Sequence, residues 1–171
     1  MWMSSAARLR GIRREVERLS GEGRSVVVVA LTLPVFDDLV RELAQYKPLL
    51  CRDLFGLDAL RGQLDRAGSV AIALANVLST DVKPSPSVGV EFLVCGRSEA
   101  QAPDESIVRF ADLLGTNARV AFHLSLDDVL LRDYVGSLKP LLGGLSLSED
   151  EAISSPMVTR AIARVQAKKV S

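Results

Sequence analysis

The chain has 171 residues, with 21 Lys and Arg set against 21 Asp and Glu, so it carries no formal net charge at pH 7. That length suits one domain, 1–171, with a core large enough to need no disulfide or metal staple, and the charge balance argues against a general basic footprint for nucleic acid. Two cysteines and one histidine, far apart, make neither a zinc cluster nor a CxxC pair; the most apolar run, 26–33, falls far short of the ~20 residues that span a bilayer; and no basic segment precedes an apolar core at the start, so a reduced, cytoplasmic setting without a leader is expected.

Ala6, Leu9, Ile12, Val16 and Leu19 recur at three- and four-residue steps and predict an amphipathic helix that ends at Gly21 or Gly23. The arginines at 8, 10, 13, 14 and 18 lie between them, and with Glu15 and Glu17 interleaved they read as a solvated face rather than an anion patch. The run SVVVVALTL at 25–33 is apolar without alternation, the pattern of a strand buried on both faces of a parallel sheet. Pro34 opens a helix bearing Phe36, Leu39, Val40 and Leu43, and 46–50, with Pro48, reads as a connection.

Leu57, Leu60 and Leu64 mark a helix that stops near Gly68, followed by strands at 69–74 and 88–95 with a polar, proline-bearing loop, 76–87, between them. The stretch 96–103 reads as a mobile polar arm, 104–114 as a helix and 118–124 as the next strand. Ser125 and Asp128 have the spacing of a capping box, so a helix is expected after them. Ser155 and Pro156 cap a last helix, with Val158, Ala161, Ile162 and Val165 on one side, and Lys168 and Lys169 suit its negative end. Strands alternating with helices in this way give a three-layer α/β domain with a mostly parallel sheet and helices on both faces.

The segments FHLSLDD (122–128) and SPMVTRAIARVQAKK (155–169) resemble the end of the second motor domain of the SecA preprotein-translocase ATPase, with its FYLSLEDDLMR and HPMVTRAIENAQKK. GRSVVVVALTL is similar to SecA's GxPVLVGTxS strand, VAIALANVLSTDV sits where the family has TIATNMAGRGTDI, and GVEFLVCG sits where it has GGLHVIGTER. From 94 to 128 the two patterns run without a gap. The resemblance implies a RecA-like, helicase C-terminal-type fold that ends about where the SecA scaffold helix would begin.

The departures fall on positions to which the resemblance assigns function. Thr80 and Asp81 survive from the GRGTD loop, but Val77, Leu78 and Ser79 replace its Gly-Arg-Gly portion. Thr80 and Asp81 read as a polar turn after the strand, with a vestigial nucleotide-binding loop as the other reading. The QxxGRxGR helix corresponds to SIVRFADLL, where Phe110 and Leu113 take the places of arginines that stabilise transition-state charge, an effect worth ~10³ to 10⁵ in rate for arginine fingers. Arg109 lies one position away on another side of the helix. No GxxxxGK[ST] phosphate loop occurs in these 171 residues.

No catalytic residue, cofactor or metal is therefore expected. His123 and Asp127 can be drawn as a dyad, yet His123 takes the place of a tyrosine and reads as structural; Cys51 and Cys95 lack a local base. The expectation is a non-catalytic, protein-binding or regulatory pseudo-ATPase module without a nucleic-acid partner. Two alternatives stay open: a split subunit of a translocase or helicase ATPase completed in trans by a P-loop domain, and a small α/β enzyme with a newly acquired site. The interface candidates are Val77, Leu78, Arg109 and Phe110, with the loop 76–81 and the arm 96–103. Solvent exposure decides whether the three apolar ones form a docking patch or an extended core.

Overall fold

The computed structural model describes residues 1–78, 86–115, 117–131, 152–153 and 160. Helix α1, Ser5–Gly21, starts at Ser4, whose hydroxyl accepts from the Ala7 N–H at 3.1 Å, and it buries Ala7, Ile12, Val16 and Leu19. Gly23 then turns the chain at φ +80°, a conformation open to glycine at little cost. Strand β1, Ser25–Ala30, follows with every residue buried. Helix α2 is Leu33–Glu42, with Pro34 in its first turn, where the missing N–H costs nothing.

Strand β2, Leu49–Cys51, leads into helix α3, Leu54–Gln63, which Asp53 caps by accepting from the Gly56 N–H at 2.9 Å. Strand β3 is Val70–Leu74, β4 is Val90–Cys95, helix α4 is Gln101–Leu113 and β5 is Ala118–His123. The five strands form one parallel sheet in the order β2-β3-β1-β4-β5. Its middle explains the unbroken apolar runs: Val28 lies between Ile72 and Leu93, with helices above and below.

Phe92 meets α4 through Phe110, ring centroids 5.8 Å apart and edge to face. Cys95, three residues on and so on the opposite face, lies in the field of Arg8 from α1 and Asp38 from α2. The steps from β2 to β3 and from β4 to β5 run the same way across the sheet, so right-handed crossovers place α3 with α4, and α2, travelling the other way, with α1. The result is the three-layer α/β arrangement that the sequence pattern predicts.

The differences are local. Residues 46–50 are not only a connection: Leu49, Leu50 and Cys51 pair with Ala71, Ile72 and Ala73 as an edge strand. Three residues are too few to carry a periodic signal, and the pairing comes from the neighbouring strand. β1 ends at Ala30 rather than Leu33, because Thr32 already serves as the cap position of α2. α4 begins at Gln101, ahead of the expected 104. After Ser125 the described chain makes a 3₁₀ turn, Val129–Leu131. The expected last helix falls almost wholly outside the described residues, as do Thr80 and Asp81.

Candidate functional site

Open α/β sheets bind ligands beyond the carboxyl ends of their strands, where successive connections leave for opposite faces. Here that place is beside β1, whose connection goes to the α1/α2 face while those of β3 and β4 lead to the other. Two adjoining hollows, of about 420 and 450 Å³, meet there and share Leu31 and Ser98. Gly96, at φ +105°, lets the chain leaving β4 turn sharply over the crevice floor. Its N–H donates to the His123 carbonyl at 2.9 Å.

Asp127 and Asp128 of this floor are already engaged, while the buried Arg8 Nε has no hydrogen-bond partner among the described residues. Arg8 is 5% exposed and ion-paired with Asp128. Asp128 also accepts from the Ser125 N–H at 2.9 Å and the Ser125 hydroxyl at 3.1 Å, so the reach from position 128 back to the 125 backbone expected of a capping box is formed. Asp127 accepts from the Ser5 N–H at 2.6 Å. Both carboxylates hold the start of α1 against the segment after β5. Burial pushes the Cys95 thiol up to about 11, and the Cys51 thiol, raised by burial and then by Asp53, also to about 11, so neither is a ready nucleophile at neutral pH.

The drawn dyad does not form. His123 accepts a long hydrogen bond of 3.4 Å from the Trp2 indole N–H and stacks on that ring at 6.3 Å, while Asp127 turns to Ser5. Burial lowers the His123 pKa to about 4, which keeps its imidazole neutral at pH 7.

The interface candidates part company. Val77 and Leu78 are 7% and 5% exposed and Phe110 is fully buried, so the apolar docking patch they would have formed is core instead. The physical reason is local: the 3₁₀ turn Ala75–Val77 folds onto the α4 side of the sheet, where Phe110 packs against Phe92. Arg109 remains outside. It lines an open hollow of about 550 Å³ with Arg97, Asp104, Val108 and Phe122; of these only Arg97 also borders the crevice. Arg97 lies 4.2 Å over the Phe122 ring and 3.8 Å from Asp104. Asp104 also accepts from the Ser98 N–H at 3.0 Å, tying the arm 96–103 to α4.

The sequence reading missed Arg8 and the segment before α1. Trp2 pairs in parallel with Ser125; its N–H donates to the Leu124 carbonyl at 2.7 Å, and its carbonyl accepts from Leu126 at 3.0 Å. The indole fills a notch at Gly11, where an added Cβ would come within 2.2 Å of the ring. A glycine inside an otherwise good amphipathic helix was the available signal, since it costs ~1 kcal/mol against alanine unless packing requires it.

No family model matches the sequence. The chain is 28% identical over 174 aligned residues to the protein translocase subunit SecA of Desulfotalea psychrophila, and the match covers 95% of this chain and 20% of that protein. It is 35% identical over 83 residues to SecA of Dechloromonas aromatica, covering 48% of this chain and 9% of the relative. The chain thus spans about a fifth of the length of the first relative. The crystal structure of the C-terminal part of the Fun30 ATPase domain matches 94% of the chain and 54% of its own, at a TM-score of 0.54 and 10% identity. The fold is SecA-like and of the helicase C-terminal, RecA-like type. No helix among the described residues is long and apolar enough to cross a membrane.

Proposed function

We propose that this chain is a non-catalytic SecA-like module that acts by binding protein and does not turn over ATP. One observation carries the reading. Where the SecA pattern has its first transition-state arginine, Phe110 is fully buried and locked edge to face on Phe92. An arginine could not stand there without an unpaired charge in the core, at a cost of several kcal/mol. Leu113 takes the second arginine place, and Arg109, the residue before Phe110, lines the 550 Å³ hollow instead. The engaged Arg8–Asp128 pair and unreactive Cys95 also speak against a newly acquired site in the crevice.

The test is steady-state phosphate release by the purified chain, alone and mixed with a separately purified SecA domain that carries a P-loop. The expected rate equals the buffer control alone, equals that of the added domain in the mixture, and is unchanged by Arg109→Ala. Release that rises on mixing and falls again with Asp81→Ala would replace this reading with a subunit completed in trans.

A further inference from the structure

We propose that the outer face of α3 is a self-association surface, on which two copies of this chain pack antiparallel about a two-fold axis. The corner formed by β2 and α3 holds Leu50, Leu54 and Phe55 at 41%, 68% and 88% exposure. Clustered apolar exposure of this kind marks an interaction site, whereas single exposed leucines do not. Phe55 stands in water with almost its whole ring.

Along α3 the exposed residues Phe55, Ala59, Gly62 and Arg66 follow at steps of four, three and four, which sets them in one row down the helix and the turn after it. Gly62 has no atom within 4 Å of the place a Cβ would take, so the row is open there to a close neighbour. Ala59, Gly62, Gln63, Asp65 and Arg66 line a shallow hollow of about 450 Å³ at the end of the row away from Phe55.

A knob at one end and a hollow at the other end of one row are self-complementary. Two such rows match when they run antiparallel, because a two-fold contact sets residue i on j and j on i. Centring the axis between Ala59 and Gly62 brings each Phe55 level with the other copy's Arg66, some 16 Å along the helix at ~1.5 Å per residue, and sets Ala59 on Gly62. Charge selects the same pairing. Each Arg66 then lies by an aromatic face, a favourable cation–π arrangement, with the exposed Asp58 on the same stretch, and the two helix dipoles oppose. A parallel pair would place Arg66 on Arg66.

One helix and its corner make a contact at the small end of specific interfaces, below ~1,200 Å² in total, so dimerisation depends on concentration. The test is sedimentation equilibrium of the full chain, with weight-average mass rising from 18.4 kDa towards twice that value. Phe55→Glu and Gly62→Glu are each expected to raise the dissociation constant about tenfold or more, and Leu113→Glu, on α4, to leave it unchanged. Mixed Ala59→Cys and Gly62→Cys chains are expected to cross-link on oxidation faster than either alone, because the antiparallel register places unlike positions within the ~7 Å Cα reach of a disulfide. This readout stands even if a glutamate variant folds poorly. A chain that stays monomeric up to about 1 mM, glutamate variants that associate like the parent, or a different protein bound on this face by monomers would each overturn the proposal.

Discussion

The two edges of the sheet are finished in opposite ways. At the carboxyl end of β5 the chain packs its own residues against the segment that follows: Trp2 pairs with Ser125 just beyond His123, its indole sits in the Gly11 notch, and Arg8 and Ser5 hold Asp128 and Asp127. At β2 the edge is three residues long, and its corner leaves Leu50, Leu54 and Phe55 in water. Unpaired edges invite association, and a short strand is one way of blunting them. The contrast separates a region whose polar groups serve the fold from one whose apolar groups stand largely in water.

The comparison predicts a steep difference in mutational cost, beginning with the ion pair. Arg8→Ala leaves Asp128 uncompensated in a site where its side chain is 14% exposed, and is expected to lower the free energy of urea unfolding by about 3 kcal/mol or more. A loss below about 1 kcal/mol would mean that Ser125 alone satisfies the carboxylate.

Next comes the Trp2 notch. Trp2→Ala is expected to cost about 3 kcal/mol through lost burial. Gly11→Ala should also destabilise the parent, because the new methyl displaces the indole. In the Trp2→Ala background the same change should stabilise by about 1 kcal/mol, the helix propensity gain of alanine over glycine. If Gly11→Ala has the same sign in both backgrounds, as read by thermal unfolding of the four proteins, the notch is not what holds the glycine there.

The same edge carries a pH dependence. His123 has a folded pKa of about 4 against an ordinary 6.5, because burial disfavours the charged ring. A folded value below the unfolded one means that the unfolded chain binds the proton more readily. Stability is therefore full above pH 6.5 and falls as pH drops towards 4, by about 2 to 3 kcal/mol. Denaturant titrations between pH 7.5 and 5 should show this slope, and His123→Gln should flatten it.

At the other edge the effects on folding should be smallest. Phe55→Glu is expected to move monomer stability by no more than about 0.5 kcal/mol, since the side chain has almost no contacts to lose. A larger loss, measured at a concentration where the chain is monomeric, would show that the corner belongs to the core and erase the contrast.

The apolar runs at 25–33, 69–74 and 88–95 are legible as parallel strands because burial on both faces removes alternation, whereas 118–124 forms an edge strand whose exposure alternates; the helices between them follow from three- and four-residue spacing. The likeness to SecA is legible for a different reason: constant register over 94–128 survives even where single motif residues have changed. Val77, Leu78 and Phe110 show where one-dimensional reading stops. An apolar residue in place of glycine or arginine signals altered chemistry, but whether it faces solvent or core depends on the turn Ala75–Val77 and on Phe92, residues brought beside α4 only by the sheet.

What the sequence determined by itself is the class of fold and the identity of four of the five strands among the described residues, which rest on local pattern; the expected loss of the motif arginines rests on the resemblance to SecA instead. What tertiary structure decided is which charged groups are structural and which apolar groups are free. Arg8 looks like its solvent-facing neighbours along α1 and is buried because Asp128, 120 residues away, meets it there. Phe55 looks like a core residue and is 88% exposed, because among the described residues no element packs over that side of α3. Contact energies between distant segments set both outcomes, and helix periodicity contains no record of what lies across the gap.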